Sequence, residues 1–156
     1  MFTPLEAVAY ALPLRHRFRG ITVREGLLVR GSRGWAEWSP FAEYLAPEID
    51  PWWGAAVEAA ELGFPAPVRD RVPVNATVPA IGPEQAHALV AASGCRTAKV
   101  KVAEPGQAFA DDLARVEAVR DALGPSGRIR VDVNGHWDVD TAHRNLAALA
   151  RFGLEY

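Results

Sequence analysis

The stretch "RTAKVKVA", residues 96–103, carries Lys99 and Lys101, and these are the only lysines in the chain. The total of lysine and arginine is 17, so the other fifteen of these residues are arginines. Along an extended strand successive side chains point to opposite faces, which puts both lysines on one face and Val100 on the other. The residue type matters for chemistry. Arginine cannot surrender its proton near neutral pH, whereas lysine can once its pKa is brought down from ~10.4. A neighbouring ammonium, a metal cation or desolvation each lowers it. A Lys-x-Lys pair supplies the first of these by construction. The plain alternative is an edge strand with two solvated lysines. Arginine usage argues against that alternative, because arginine is expected to serve the surface everywhere else. Richness in arginine and alanine resembles GC-rich codon bias; that explains the arginines and leaves the two lysines to be explained by their chemistry.

A second group follows "RIRV": Asp132-Val133-Asn134-Gly135. Alternation again predicts that Asp132 and Asn134 share a face. A carboxylate and an amide oxygen are hard donors of the kind Mg²⁺ takes. One aspartate cannot hold a metal alone, so further carboxylates must come from later strands. An Asp and an Asn in an ordinary turn before a helix is the competing reading. Smaller features carry smaller claims. His136 either points at a pocket or is solvated. Arg15, Arg17 and Arg19 in "RHRFRG" either bind an anion or form a solvated loop. Trp52, Trp53 and Trp137 read as packing residues, and Cys95, the single cysteine, as a buried apolar one.

The elements that must position these groups follow from periodicity and punctuation. "LEAVAYAL" and "GITVREGLLVRG" read as strands, the second with a Glu25-Gly26 turn inside it, and "GWAEWSPF" as a short strand entering a loop. "DPWWGAAVEAAEL" reads as a helix capped by Asp50 with Pro51 at its first position. "GFPAPVRDRVP" reads as a linker. The rhythm then changes to strand 74–80, helix from Pro83 to near Gly94, strand 97–103, helix 107–124, strand 128–135, helix 138–153 and a strand beginning at "LEY". Phe109, Leu113, Val116 and Leu123 form the apolar face of one helix, and Ala142, Leu146 and Leu149 that of the next. Alternating β and α with short connections predicts a parallel sheet or a (β/α) barrel. In such folds the working residues sit at the carboxyl ends of the strands, where the lysines and Asp132 lie.

Composition narrows the function classes. With 156 residues the chain can bury one sizeable core. A net charge of -2 argues against a nucleic-acid partner. The sequence has no membrane-length apolar run, no signal-peptide pattern at its start and no disulfide framework. A cytoplasmic protein is expected, with no nucleic-acid or membrane partner; the oligomeric state is left open. Three β/α units and the start of a fourth strand are too few for an eight-stranded barrel, so the chain is expected to continue past Tyr156.

Taken together and in this order, "FRGITVREGLLVRG", "GWAEWSPFAEY", "VPVNATVPA", "CRTAKVKVAE" and "RIRVDVNGHWDVDTA" resemble the enolase superfamily, in its muconate lactonizing enzyme-like branch. The resemblance covers the whole chain. It implies an α+β capping domain over residues 1–72, then the first part of a (β/α)₇β TIM-type barrel over residues 73–156. It implies Mg²⁺ held by three carboxylates on successive strands, with Asp132 as the first. It implies Lys101 as the catalytic acid/base, Lys99 as its catalytic partner, and Asn134 and Arg19 as substrate-binding residues. The implied reaction is a Mg-dependent lyase step of menaquinone biosynthesis: syn dehydration of a succinyl-hydroxycyclohexadiene carboxylate to o-succinylbenzoate, begun by proton abstraction α to the carboxylate. The alternatives are N-succinylamino acid racemization with the same groups, and a non-catalytic piece lacking the remaining metal ligands. The chain departs from the family pattern at Ala36, where Gly-Trp-Gly-Glu is usual, a change expected to act on a loop. The second metal carboxylate is expected about two residues beyond Tyr156, with the third and an opposing lysine further on.

Overall fold

The computed structural model describes residues 6–156, which leaves Leu5, the first residue of the expected "LEAVAYAL" strand, outside the described residues. The chain divides into two compact units between Asp70 and Arg71.

The first unit is an antiparallel sheet with one helix. Strand β1 (Glu6–Phe18) pairs with β2 (Ile21–Gly31), and β2 with β3 (Gly34–Trp38). Arg19 and Gly20, both at positive φ, make the tight link between β1 and β2, as two-residue hairpins require. The expected turn at Glu25-Gly26 does not form: β2 runs straight through it, with Gly26 opposite Tyr10. The glycine answers a packing need there, since a Cβ would lie 2.5 Å from the Tyr10 hydroxyl. Ala36 lies in β3 opposite Val29, not in a loop, and its methyl group is buried with Ala56 and Ala60 of helix α1 (Ala46–Leu62).

Helix α1 begins earlier than Asp50. Leu45 is its N-cap, Pro47 falls in the first turn, and the Glu48 carboxylate accepts a hydrogen bond from the Leu45 amide at 3.2 Å. Pro51 therefore sits inside the helix. The first-turn proline and the reaching glutamate are the stronger start signal, and Asp50 lies within the helix. Trp52 and Trp53 stack edge-on against Tyr44 and Trp38 and remain partly exposed.

The second unit is a parallel sheet in the order β4 (Ala76–Val78), β5 (Thr97–Lys101), β6 (Arg128–Asp132). Helices α2 (Pro83–Ser93), α3 (Phe109–Leu123) and α4 (Val139–Leu149) follow the strands in turn. Leu154 bridges Ile129 in parallel, so the chain returns to the open edge of β6. One face of the sheet packs on the helices through Val78, Ala98, Val100, Ile129, Val116, Val119 and Leu149, all fully buried. The apolar positions of β5 thus face the helices and its lysines take the other side. Two helix faces differ from expectation. In α3 the buried side also holds Asp112 and Arg115, and in α4 Leu146 is 43 % exposed while Leu149 is buried. Cys95 is half-buried rather than buried. No helix among the described residues is long and apolar enough to cross a membrane.

Candidate functional site

Parallel pairing sets Lys99 opposite Arg130 and Lys101 opposite Asp132, at the carboxyl ends of β5 and β6. The Lys101 Nζ donates to Asp132 Oδ2 at 2.6 Å and to Asn134 Oδ1 at 2.8 Å. The Lys99 Nζ lies 3.3 Å from the same Asp132 oxygen. One carboxylate oxygen therefore faces two ammoniums, with an amide oxygen beside them. The two lysines are not equivalent: the Lys101 side chain is 9 % exposed and that of Lys99 35 %.

Partial burial opposes charge on Asp132, but the hydrogen bonds from Lys101 and from the Asn134 amide, with the lysine charges, outweigh it and hold its pKa at about 2. Asp132 is thus a carboxylate at any ordinary pH. Asn134 reaches the cluster by a route that alternation does not describe. Strand β6 ends at Asp132, and Asn134 lies beyond it with φ +49°, its amide donating to Asp132 Oδ1 at 3.1 Å. This is an Asx-type turn, which asparagine tolerates better than most residues.

Beyond Lys101 the chain turns sharply at Ala103, whose φ of +60° is a left-handed conformation rarely adopted by residues with a Cβ. The Asp112 carboxylate accepts from the Ala103 amide at 2.9 Å, and His136 Nδ1 lies 2.9 Å from the Ala103 carbonyl. His136 also lines an open cavity of about 470 Å³ with Glu104, Gln107, Phe109 and Trp137. Arg115 and Asp112 form an ion pair at 2.8 Å with side chains 1 % and 3 % exposed. Arginine is therefore not confined to the surface, as its usage in the sequence suggests, and the apolar period of α3 does not reveal this pair. The available signal was a pair of opposite charges at i, i+3 on the helix turn beside Leu113 and Val116.

Arg19 lies in the first unit, where its guanidinium is 2.8 Å from Glu43, donates to the Tyr44 hydroxyl at 3.0 Å and stacks 4.2 Å over the Phe41 ring. Lys99, Lys101, Asp132 and Asn134 are brought together in the second unit. As metal donors, an ionised Asp132 and the Asn134 amide oxygen suit Mg²⁺ in kind. Among the described residues no three His, Cys, Asp or Glu side chains gather where they could hold a metal ion, so these residues supply only part of a shell.

Residues 9–60 match the Enolase N-terminal domain-like family and residues 83–156 the Enolase C-terminal domain-like family. The o-succinylbenzoate synthase of Thermobifida fusca (strain YX) is 72% identical to this chain over 148 residues, 95% of the chain and 47% of that protein. The o-succinylbenzoate synthase of Mycolicibacterium smegmatis is 55% identical over 94% of the chain and 45% of that protein. The chain spans about half the length of the curated relatives it matches. Among solved structures, a substrate-liganded L-Ala-D/L-Glu epimerase from Bacillus subtilis aligns with a TM-score of 0.73 at 21% identity, covering 99% of this chain and 60% of that one. The o-succinylbenzoate synthase from Thermosynechococcus elongatus BP-1, with Mg in its active site, aligns with a TM-score of 0.58 at 23% identity, covering 97% and 59%. At these identities the structural likeness establishes the fold: a capping domain followed by the start of a barrel.

Proposed function

This chain belongs to the enolase superfamily, and we propose that the protein carrying it is a Mg-dependent lyase that forms o-succinylbenzoate by dehydrating a succinyl-hydroxycyclohexadiene carboxylate, a step of menaquinone biosynthesis. The observation that carries the reading is the cluster at the ends of β5 and β6: Lys101 Nζ at 2.6 Å from Asp132 and 2.8 Å from Asn134, with Lys99 beside it. The identity to proteins named o-succinylbenzoate synthase supports the choice of substrate.

In this reading Lys101, in its neutral form, takes the proton α to the substrate carboxylate. Lys99 stays an ammonium and offsets the negative charge that develops on that carboxylate. The proton now on Lys101 leaves with the departing hydroxide as water, so one lysine serves as base and then as acid. Asp132 would hold the metal together with carboxylates from elsewhere in the protein, and Asn134 would serve the substrate beside it. The chemistry a bound Mg²⁺ supplies is stabilisation of charge on the carboxylate oxygens.

The test is to incubate the full-length protein with this substrate and Mg²⁺ and to follow the aromatic product by its absorbance. Formation of o-succinylbenzoate at an enzymatic rate is the expected result. Absence of product, or interconversion of N-succinylamino acid enantiomers alone, would overturn it.

A further inference from the structure

The buried ion pair on α3 has a place in the fold that packing alone does not require. The Arg115 guanidinium donates through Nε to the Ile81 carbonyl at 2.7 Å, through Nη1 to the Lys101 carbonyl at 3.0 Å and to Asp112 at 2.8 Å, and through Nη2 to the Gln107 side chain. Gln107 in turn donates to the Ala80 carbonyl at 2.9 Å. Asp112 uses its other oxygen on the Ala103 amide. One guanidinium, 1 % exposed, thus ties the segment after β4, the last residue of β5 and the loop that follows it to a single helix. The residue whose carbonyl it holds is the one whose ammonium meets Asp132 and Asn134. Buried ion pairs are commonly replaceable by apolar residues of similar volume without loss of stability, so stability does not explain why a charge pair is kept here. A rigid fork with several donors fixes the position of a peptide in a way an apolar contact cannot.

We propose that Arg115 and Asp112 are positioning residues for Lys101: they hold its peptide and the left-handed turn at Ala103, and so set where the Lys101 ammonium stands relative to Asp132. The inference rests on Lys101 being the acid/base of the proposed reaction, and the experiment separates the two. The double variant Asp112→Leu/Arg115→Met in the full-length protein removes the fork while filling its volume. It is expected to fold with a lowered melting temperature, because the Ile81 and Lys101 carbonyls and the Ala103 amide lose their partners, to lose kcat by on the order of 10- to 100-fold with KM little changed, and in a crystal structure to show Lys101 Nζ moved out of hydrogen-bonding distance of Asp132. A folded double variant with native kcat, or one with Lys101 unmoved, would overturn the inference. Should the native protein form no product, the functional reading fails by itself, and the Lys101–Asp132 distance in the variant still decides this one. If the double variant does not fold, Arg115→Lys decides instead: it keeps the charge but not the fork, and lowered kcat at unchanged KM supports positioning, whereas native kcat overturns it.

Discussion

The two units differ in whether they bury charge. In the first, ion pairs lie on the outside: Arg30 and Glu6 are 59% and 58% exposed, and Arg19 and Glu43 32% and 51%. The second has surface pairs too, at His87–Asp121 and Arg128–Glu155, but it also nearly seals Lys101, Asp112 and Arg115, each with a buried or half-buried partner. Pairs of the first kind are screened by water and gain little, whereas breaking one of the second kind strands a charge. A sealed, fully partnered charge has one place to be. Chemistry needs that, and a surface sheet does not. The parallel architecture explains where such charges can be built: β5 sends Ala98 and Val100 to the helices, and the opposite face is left for Lys99 and Lys101.

The largest effect is expected at Lys101. Lys101→Arg in the full-length protein keeps the charge and removes the transferable proton, so kcat should fall by roughly 10²- to 10⁴-fold with an unchanged circular dichroism spectrum. A near-native rate would put Lys101 on the same footing as the surface charges of the first unit. Next, the same substitution can be set in both units. Val100→Asp places a carboxylate where nothing is exposed and should destabilise by about 3 kcal/mol or more. Val8→Asp, at a position 46% exposed, should stay within about 0.5 kcal/mol. Chemical denaturation of the two variants checks the contrast, and equal losses would erase it.

Asp132→Ala tests the same carboxylate in two ways. Calorimetry on the full-length protein should show weakened Mg²⁺ binding, and unchanged affinity would make Asp132 a turn residue only. The variant should also lose an acid-sensitive part of its stability. Because the folded pKa of about 2 lies below the ordinary 3.8, ionised Asp132 stabilises the fold above about pH 4, and that contribution disappears as pH falls towards 2. The native protein should lose about 2 kcal/mol over that window relative to Asp132→Ala, measured by denaturation at each pH. The smallest effect belongs to the first unit: Arg30→Ala, which removes a 3.5 Å surface pair with Glu6, should change stability by less than about 0.5 kcal/mol.

Much of this was legible in the residues because it depends on local period. The β/α rhythm of the second half, the placement of Lys99 and Lys101 on one face of β5 and the stop at Gly94 follow from alternation, helical spacing and glycine at positive φ. The start of α1 is ambiguous in the sequence because two prolines compete as the first-turn residue, and Glu48 reaching back to Leu45 decides between them. Gly26 looked like a turn because glycine marks turns, yet here it makes room for the Tyr10 ring. The sequence by itself determined which residue types face away from the helices in β5, since alternation is a property of one strand. Only the tertiary structure decided that Lys101 meets Asp132 while Lys99 stays more open, that Asn134 joins them from a left-handed turn, and that Arg115 holds the Lys101 carbonyl from α3. The physical reason is that inter-strand register, loop dihedrals and the burial of a charge are fixed by partners distant in the chain, and no local pattern encodes the distance between two strands' ends.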